Sequence, residues 1–327
     1  MSERVQRDER RVSERVRHAE RRVSERIQLS VWSAGWTLVR RAPEPVVRAA
    51  FTGLADLAWA RRGPGVAQLE RNLARVLGPG AAPGRARELS RAGMRSYLRY
   101  WSEVFRLPDY SEQRIRADFR IVNEATLWDH LDRGRGVVVG LPHMGNWDLA
   151  GAWAAVSGMP VTSVAERLRP EGLYQRFLAY RTALGMEILP LTGAERDVFA
   201  MLVERLRSGR LVPLLADRDL RASGVAVTLL GEPTRMPPGP ALLSLSTGAP
   251  LVPATLWYDE DTGGVSMRLH EVIPVPVSGD TRAKVGVMTQ ALADTFAEGI
   301  RAHPGDWHML QPLWLADLSA GRGERAG

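Results

Sequence analysis

Short apolar runs alternate with amphipathic segments between residues 136 and 302, and this alternation limits the fold more than any other feature of the chain. The apolar runs have the length of buried strands, whereas the segments between them carry apolar residues at helical spacing. Predicted strands cover 136–142, 160–166, 186–191, 211–216, 225–230, 250–258 and 265–272, and predicted helices cover 146–157, 170–184, 195–208, 239–248 and 282–302. Such alternation predicts an α/β fold in which a mostly parallel central sheet is flanked by helices.

Domain organisation follows from where this pattern begins and ends. No boundary is evident between residues 85 and 317, so we expect one α/β domain there, followed by a short tail at 318–327. Residues 27–84 contain amphipathic helices broken by Gly and Pro, and we expect them to form a helical, membrane-facing N-terminal part. Residues 1–26 are highly charged with a thin apolar stripe, which predicts a solvated helical extension or a segment without fixed structure.

The net charge of +7 is concentrated near the N-terminus. The first 62 residues hold 14 arginines against 8 acidic side chains, a surplus of six, so the rest of the chain is nearly neutral. A nearly neutral α/β domain argues against a nucleic-acid partner. Basic N-terminal helices point instead to an anionic membrane surface.

Tryptophan lies close to arginine in the N-terminal helices: Trp36 precedes Arg40 and Arg41, and Trp59 precedes Arg61 and Arg62. This arrangement is typical of amphipathic helices at a bilayer interface, although the same residues could pack on the α/β domain. No apolar run approaches the ~18 residues of a spanning helix, and no secretion signal is evident. We therefore expect a peripheral protein on the cytoplasmic face of the plasma membrane.

A histidine and a carboxylate follow the first predicted strand of the domain: GVVVGLP runs into His143, and Asp148 comes five positions later. At a strand end that leads into a helix, Asp148 could accept a hydrogen bond from one imidazole nitrogen, and the other nitrogen could take a proton from a hydroxyl group. Gly145 permits a tight turn or the close approach of a ligand, and Asn146 could cap the helix; both are candidates for the substrate site. Taken alone, this spacing is more often structural than catalytic.

The string GLPHMGNWDL resembles the HxxxxD/E motif of the lysophospholipid and glycerolipid acyltransferase superfamily. It is most similar to the branch that contains the lipid A lauroyl/myristoyl acyltransferases and the phosphatidylinositol mannoside acyltransferases of actinobacteria. Further similarity lies in LLADRDL (214–220), MPPGPALLSLSTGAPLVPATLW (236–257) and HPGDWHMLQPLWLAD (303–317), and DWHMLQ is specifically like the mannoside enzymes. The resemblance covers most of the chain, from about residue 30 to residue 317.

The resemblance implies an acyl-CoA-dependent O-acyltransferase that moves a long fatty acyl chain to a mannose hydroxyl of a phosphatidylinositol mannoside. It implies His143 as the general base, supported by Asp148 and by a second acidic residue downstream, for which Asp217 is the best match. Acyl-CoA would be a co-substrate, and we expect neither a cofactor nor a metal ion. Because the chain has no cysteine and no GxSxG motif, direct transfer is favoured over an acyl-enzyme intermediate.

Three alternative functions remain open at the level of the sequence. Asp217-Arg218 replaces the Asp-Gln of the lipid A enzymes, which argues against lipid A as the acceptor without excluding it. The same catalytic pair could activate water and hydrolyse acyl-CoA as a thioesterase. A peripheral lipid-binding protein without catalysis would use only the tryptophan and arginine helices, and would leave the histidine motif unexplained.

Four charged residues downstream of the motif are further candidates for the substrate site. Glu166 ends a predicted strand and Arg167 follows it, so both could line a polar acceptor pocket or form a surface pair. Arg181 could hold a phosphate of CoA or inositol, stabilise an oxyanion, or form an ion pair on its helix. Arg218 directly follows Asp217 and could bind substrate or form a salt bridge with that residue.

Overall fold

The computed structural model describes residues 35–166, 171–191, 196–219 and 223–318. The predicted extension at 1–26 lies outside these residues, and so does the predicted tail apart from its first residue. The other predicted boundary, between residues 84 and 85, falls in a turn between two helices that pack against each other.

A central, mostly parallel sheet organises the chain. Its strands and their short neighbours are β1 (Phe119–Val122), β2 (Val137–Leu141), β3 (Thr162–Ala165), β4 (Glu187–Pro190), β5 (Leu211–Leu215), β6 (Val225–Leu229), β7 (Glu232–Met236), β8 (Leu251–Tyr258) and β9 (Val265–Leu269). The central order is β1-β9-β8-β2-β5, in which β2 is parallel to both β5 and β8, whereas β9 is antiparallel to β8. The parallel pair β3–β4 continues the sheet beside β5 through a bridge between Val161 and Leu211. This architecture confirms the predicted fold class.

Helices lie before the sheet and between its strands. They are α1 (Glu44–Arg61), α2 (Pro64–Leu77), α3 (Arg85–Arg106), α4 (Glu112–Ala117), α5 (Ala125–Leu131), α6 (Trp147–Val156), α7 (Glu171–Ala183), α8 (Val198–Arg207), α9 (Gly239–Thr247) and α10 (Thr281–Ala302). The side chains of Asp197 and Asp280 cap α8 and α10 by accepting hydrogen bonds from backbone N–H groups of the first turn. These caps satisfy donors that the helices themselves cannot pair.

Strand β2 lies in the middle of the core, and its side chains are buried along its whole length. Val138 belongs to the same hydrophobic cluster as Phe296 of α10. Val139 belongs to a second cluster, which contains Trp153 of α6. Because successive side chains of a strand point to opposite faces, a strand covered by helices on both faces needs a continuous apolar run. This requirement explains why GVVVGL does not alternate with polar residues.

Two of the N-terminal tryptophans pack on the α/β domain. The indole N–H of Trp36, which is 8% exposed, donates to the carbonyl of Phe105 at 3.0 Å. The indole N–H of Trp59 donates to Ser90 Oγ at 3.1 Å, and the Arg87 guanidinium lies over the Trp59 ring at 3.8 Å from its centroid. The packing interpretation left open by the sequence therefore holds for both residues.

Apolar side chains of a different set remain on the surface of the N-terminal helices. Leu38 is 69% exposed, and Val46, Leu54 and Leu57 of α1 are between 45% and 58% exposed. At 100° per residue, the last three lie on one side of α1, opposite the side that packs on α3. Within the described part of the chain, no helix combines the length and apolar character needed to cross a bilayer.

Some elements differ from the sequence prediction. The predicted strand at 225–230 does not join the central sheet: β6 pairs antiparallel with β7 through a tight turn at Leu230-Gly231. Both turn residues have positive φ values (55° and 89°), as a two-residue hairpin requires. The elements β1, β7, α4 and α5 were not predicted: β1, α4 and α5 are too short to show a clear period, and β7 (EPTRM) is mostly polar and contains a proline.

Candidate active site

His143 and Asp217 come together because β2 and β5 are neighbouring parallel strands. Leu141 at the end of β2 pairs in register with Leu215 at the end of β5. His143 and Asp217 each lie two residues beyond those ends, so they meet at the carboxyl edge of the sheet. Ligand sites of open α/β sheets lie at this edge. We call residues 143–146, which connect β2 to α6, the His143 turn.

The Asp217 carboxylate holds His143 through both the ring and the main chain. Its Oδ1 lies 2.6 Å from His143 Nδ1, and its Oδ2 accepts the His143 backbone N–H at 3.0 Å. Asp217 is fully buried, whereas the His143 side chain is 28% exposed. Among the described residues His143 Nε2 has no hydrogen-bond partner, so the nitrogen opposite the carboxylate is the one left for chemistry.

The environment of Asp217 favours its ionised form. Burial alone would raise the pKa of the carboxyl, but the charge of His143 and hydrogen bonds from His143 and Trp307 outweigh burial and leave the pKa below its ordinary value. The Trp307 indole N–H donates to Oδ2 at 3.0 Å. An ionised carboxylate on Nδ1 fixes the tautomer of the imidazole and stabilises an imidazolium once a proton is taken up.

Asp148 does not bind His143, so the predicted pairing of these two residues is wrong. Asp148 Oδ1 accepts from Arg181 Nε at 2.7 Å, and Oδ2 accepts from Arg181 Nη2 at 3.1 Å and from the Tyr100 hydroxyl at 2.8 Å. The carboxylate is the second residue of α6 and is 3% exposed. Its place on the helix directs it toward α3 and α7, away from the imidazole.

The same contacts define the surroundings of Arg181, for which we predicted contact with a phosphate or an oxyanion. Burial opposes the charged guanidinium, but the charge of Asp148 and its hydrogen bonds outweigh burial and raise the pKa of Arg181. Two of its nitrogen donors point at Asp148, and its side chain is 19% exposed. The geometry therefore makes Arg181 the partner of a buried ion pair, which was the structural alternative left open by the sequence.

Gly145 and Asn146 shape the His143 turn. Gly145 has a φ of 60°, which fits the predicted tight turn, and a Cβ at this position would lie 2.9 Å from Leu256 Cβ, so the close approach in the structure is to β8. Asn146 caps α6, as predicted, by accepting the Leu149 N–H at 2.9 Å, and its amide donates to Glu103 Oε2 at 2.8 Å. Because both polar ends of the buried Asn146 side chain have protein partners, it positions the turn.

Of the three remaining predicted residues, Glu166 and Arg218 lie at or near the same edge of the sheet. Glu166 directly follows β3 and is exposed, and Arg218 directly follows Asp217 and is half-buried. Arg167 lies outside the described residues. The predicted contacts of these three residues with substrate stay predictions.

Trp307 and His308 are part of the site, and sequence reasoning did not assign them a role there. The His308 N–H donates to the His143 carbonyl at 2.8 Å, and the His308 ring is fully buried against Tyr100 and Trp147. Burial and the charge of His143 lower the pKa of His308 to about 3. The signal available in the sequence was the DWHMLQ string, which marked this segment without indicating its contacts.

Comparison with known proteins found a matching family model and similar relatives. A family model described as bacterial lipid A biosynthesis acyltransferase matches residues 16–316. The phosphatidylinositol mannoside acyltransferase of Mycolicibacterium smegmatis (strain ATCC 700084 / mc(2)155) is 49% identical over 298 residues, which cover 90% of this chain and 94% of that protein. The phosphatidylinositol mannoside acyltransferase of Mycobacterium tuberculosis (strain CDC 1551 / Oshkosh) is also 49% identical, over 89% of this chain and 90% of that protein. The predicted resemblance is thereby confirmed.

Proposed function

The chain belongs to the family of bacterial lipid A biosynthesis acyltransferases, and from this premise we propose that it moves a long fatty acyl chain from acyl-CoA to a mannose hydroxyl of a phosphatidylinositol mannoside. The observation that carries the proposal is the His143–Asp217 pair at the carboxyl edge of the sheet. Such a pair supplies a general base for a hydroxyl group, which is what O-acyl transfer needs.

The choice of acceptor rests on the relatives and on one departure in the sequence. Two relatives that are 49% identical over nearly their whole length bear the name phosphatidylinositol mannoside acyltransferase. Asp217 is followed by Arg218, where the lipid A enzymes have Asp-Gln. A mannolipid acceptor therefore fits this chain better than a lipid A precursor.

Proton transfer to His143 begins the proposed reaction. Nε2 removes the proton of the mannose hydroxyl while the hydroxyl oxygen attacks the thioester carbonyl, and Nδ1 stays bound to Asp217. The buried carboxylate stabilises the imidazolium that forms, because opposite charges at 2.6 Å interact strongly away from water. A positioned base of this type contributes about 10²–10⁴-fold to the rate.

Collapse of the tetrahedral intermediate completes the transfer. The carbon–sulfur bond breaks, the acyl group stays on the mannose oxygen, and the imidazolium gives its proton to the departing CoA thiolate. The Gly145 N–H is bound to the Asp306 carbonyl, so it is not available for the oxyanion, and Nε and Nη2 of Arg181 are bound to Asp148. Since the chain has no cysteine, the acyl group passes directly from donor to acceptor.

We also propose that α1 contacts the membrane that holds the acceptor. Val46, Leu54 and Leu57 form an exposed apolar stripe on a helix with basic residues at its end and in the preceding segment. An apolar stripe flanked by arginine suits the interface of an anionic leaflet, and it brings the enzyme to a lipid substrate. This would make the protein peripheral on the cytoplasmic face of the plasma membrane.

Product analysis with purified protein tests the proposed function. Palmitoyl-CoA and a phosphatidylinositol mannoside are incubated with the wild type, with His143→Ala and with His130→Ala, a control in which a half-buried histidine on α5 is replaced. We expect mass spectrometry to find an acylated mannolipid with the wild type and the control, and at least 10²-fold less with His143→Ala.

Two outcomes would reject the proposal in favour of an alternative. Release of CoA at the same rate with and without mannolipid indicates a thioesterase. Absence of CoA release under all conditions, together with liposome binding, indicates a lipid-binding protein. Acylation of a lipid A precursor in preference to the mannolipid would reject the acceptor alone.

A further inference from the structure

A short segment near the C-terminus runs antiparallel beside the His143 turn. Residues 306–308 meet the turn through two main-chain hydrogen bonds: the Gly145 N–H donates to the Asp306 carbonyl at 2.9 Å, and the His308 N–H donates to the His143 carbonyl at 2.8 Å. These contacts join parts of the chain that are more than 150 residues apart in sequence. The segment thus fixes the main chain on one side of His143.

Trp307, in the middle of this segment, extends the contact to the catalytic carboxylate. Its indole N–H donates to Asp217 Oδ2 at 3.0 Å, and both residues are 0% exposed. The same Oδ2 accepts the His143 N–H, which leaves Oδ1 for the imidazole. The two N–H groups bound to Oδ2 thus hold the carboxylate with Oδ1 at Nδ1.

We propose that Trp307 is a positioning residue for acyl transfer: its indole N–H keeps the Asp217 carboxylate charged and in the orientation in which Oδ1 binds His143 Nδ1. Its indole nitrogen is bound to Asp217, so it acts through the carboxylate and not on the reacting atoms. The inference rests on the proposed function, because it gives Trp307 a role only within the His143–Asp217 pair.

The physical basis is the charge of the resting pair. When the imidazole is neutral, the buried carboxylate carries a negative charge with no cation beside it, and the indole dipole stabilises that charge. When the imidazole is protonated, the imidazolium neutralises most of the charge, so the indole contributes less. Loss of the indole N–H therefore favours protonation, and the apparent pKa at which the pair takes up a proton rises.

A second histidine lies close to the pair, but burial keeps it neutral. His308 is within electrostatic reach of His143, but burial and the charge of His143 lower its pKa to about 3. His308 is therefore neutral near neutral pH. A shift of the acid limb in the dependence of kcat on pH therefore reports on His143 and Asp217 and not on His308.

Trp307→Phe tests the inference, since it removes the N–H and keeps an aromatic ring in the core. We expect kcat for transfer from palmitoyl-CoA to the mannolipid to fall about tenfold or more, because a hydrogen bond to a charged group is lost. We expect KM for both substrates to change little. The acid limb of the kcat profile should move upward, by up to about one pH unit.

Trp314→Phe is the matched control. Trp314 is equally buried, its ring centroid lies 6.0 Å from that of Trp307, and its indole N–H donates to the Leu229 carbonyl at 3.2 Å. The substitution removes the same group from the same part of the core without touching Asp217. We expect Trp314→Phe to keep the kcat and the pH profile of the wild type. We expect its melting temperature to change by an amount similar to that in Trp307→Phe.

Several results separate success from failure. An equal loss of kcat in both variants, with unchanged pH profiles, would show that Trp307 has a merely structural role and would overturn the inference. Wild-type kinetics in Trp307→Phe would also overturn it. If Trp307→Phe does not fold, 3-benzothienylalanine at position 307 replaces the N–H by sulfur in a ring of the same shape, and the same shift is expected. Full activity of His143→Ala would instead reject the proposed function, so the two failures are distinguishable.

Discussion

Asp217 and Asp148 are both buried carboxylates near the His143 turn, but their partners give them different tasks. Asp217 binds an imidazole, whose protonation changes during the proposed reaction, and it can therefore stabilise a charge that appears and disappears. Asp148 binds the guanidinium of Arg181, which stays charged throughout. The aspartate of the HxxxxD string thus binds Arg181, and an aspartate 74 residues after His143 binds the imidazole that we propose as the base.

Replacement of Asp148 should act on stability first. Asp148→Asn leaves the Arg181 charge buried without its counterion, and we expect the free energy of unfolding to fall by about 3–5 kcal/mol. Asp56→Asn is the control. Asp56 likewise accepts hydrogen bonds from arginine, in this case from Arg91 and Arg95, but it lies on the surface, where ion pairs contribute little to stability. Urea unfolding at neutral pH measures both variants. Equal stability of the two variants would contradict the structural role of Asp148.

At the scale of elements, the site depends on how the ends of β2, β5 and β8 meet. The pairing of Leu141 with Leu215 brings two loops together, and Gly145 lets the His143 turn pass directly over Leu256 of β8. The His143 turn is held in this position by backbone hydrogen bonds and by the Asn146 cap. The imidazole is therefore placed by rigid elements on three sides.

Gly145→Ala should disturb this arrangement. A Cβ would lie 2.9 Å from Leu256 Cβ at a φ of 60°, so strain and overpacking both act, and we expect a loss of about 2–4 kcal/mol in unfolding free energy. Gly231→Ala is the control, because Gly231 also has a positive φ but no atom lies within 4 Å of the added Cβ. There we expect about 1 kcal/mol. Thermal or urea unfolding measures the difference, and equal losses would contradict the proposed contact with β8.

The sequence predicted the elements that carry His143 and Asp217, whereas the expectation that Asp217 assists His143 came from the family resemblance and not from the spacing of the residues. A fully apolar run ending in His143 identifies β2, and LLADRDL identifies the end of β5, so both residues could be assigned to the same edge. Which carboxylate faces the imidazole depends on strand order and register, which local spacing does not contain. The five-residue spacing favoured Asp148 only because both residues lie on one turn.

Local sequence patterns could not predict the contact between Trp307 and Asp217, for a related reason. Its contact with Asp217 requires the C-terminal segment to return across the edge of the sheet after α10. Hydrophobic periodicity predicts that a tryptophan is buried, but it does not predict which buried polar group receives its N–H. Similarly, burial of Trp36 and Trp59 could not be told from membrane insertion, because both environments favour an apolar ring with one polar atom.

At the scale of the whole molecule, the exposed side of α1 is the surface through which we propose that the protein contacts the membrane. The stripe of Val46, Leu54 and Leu57 lies on the helix that packs against α3, and α3 supplies Tyr100 to the Asp148 ion pair. The surface and the catalytic edge therefore belong to one packed body.

Charge placed on this stripe should weaken membrane binding. We expect Leu54→Glu with Leu57→Glu to lower the affinity for anionic liposomes at least tenfold, because two apolar side chains no longer enter the interface and two negative charges face it. Val277→Glu is the control, since Val277 is 99% exposed in the loop after β9. Liposome sedimentation measures the binding. Unchanged binding of the double variant would contradict membrane contact through α1.

The catalytic pairing of His143 with Asp217 is tested most directly by a double-mutant cycle on acyl transfer. His143→Ala, Asp217→Asn and the double variant are assayed with palmitoyl-CoA and a phosphatidylinositol mannoside. If the two residues act as one unit, His143→Ala removes nearly all transfer, Asp217→Asn loses about 10²–10⁴-fold, and the double variant is no slower than His143→Ala. A shared catalytic role of the pair would be contradicted if the loss of rate in the double variant equals the product of the two single losses. It would also be contradicted if Asp217→Asn keeps a kcat close to that of the wild type.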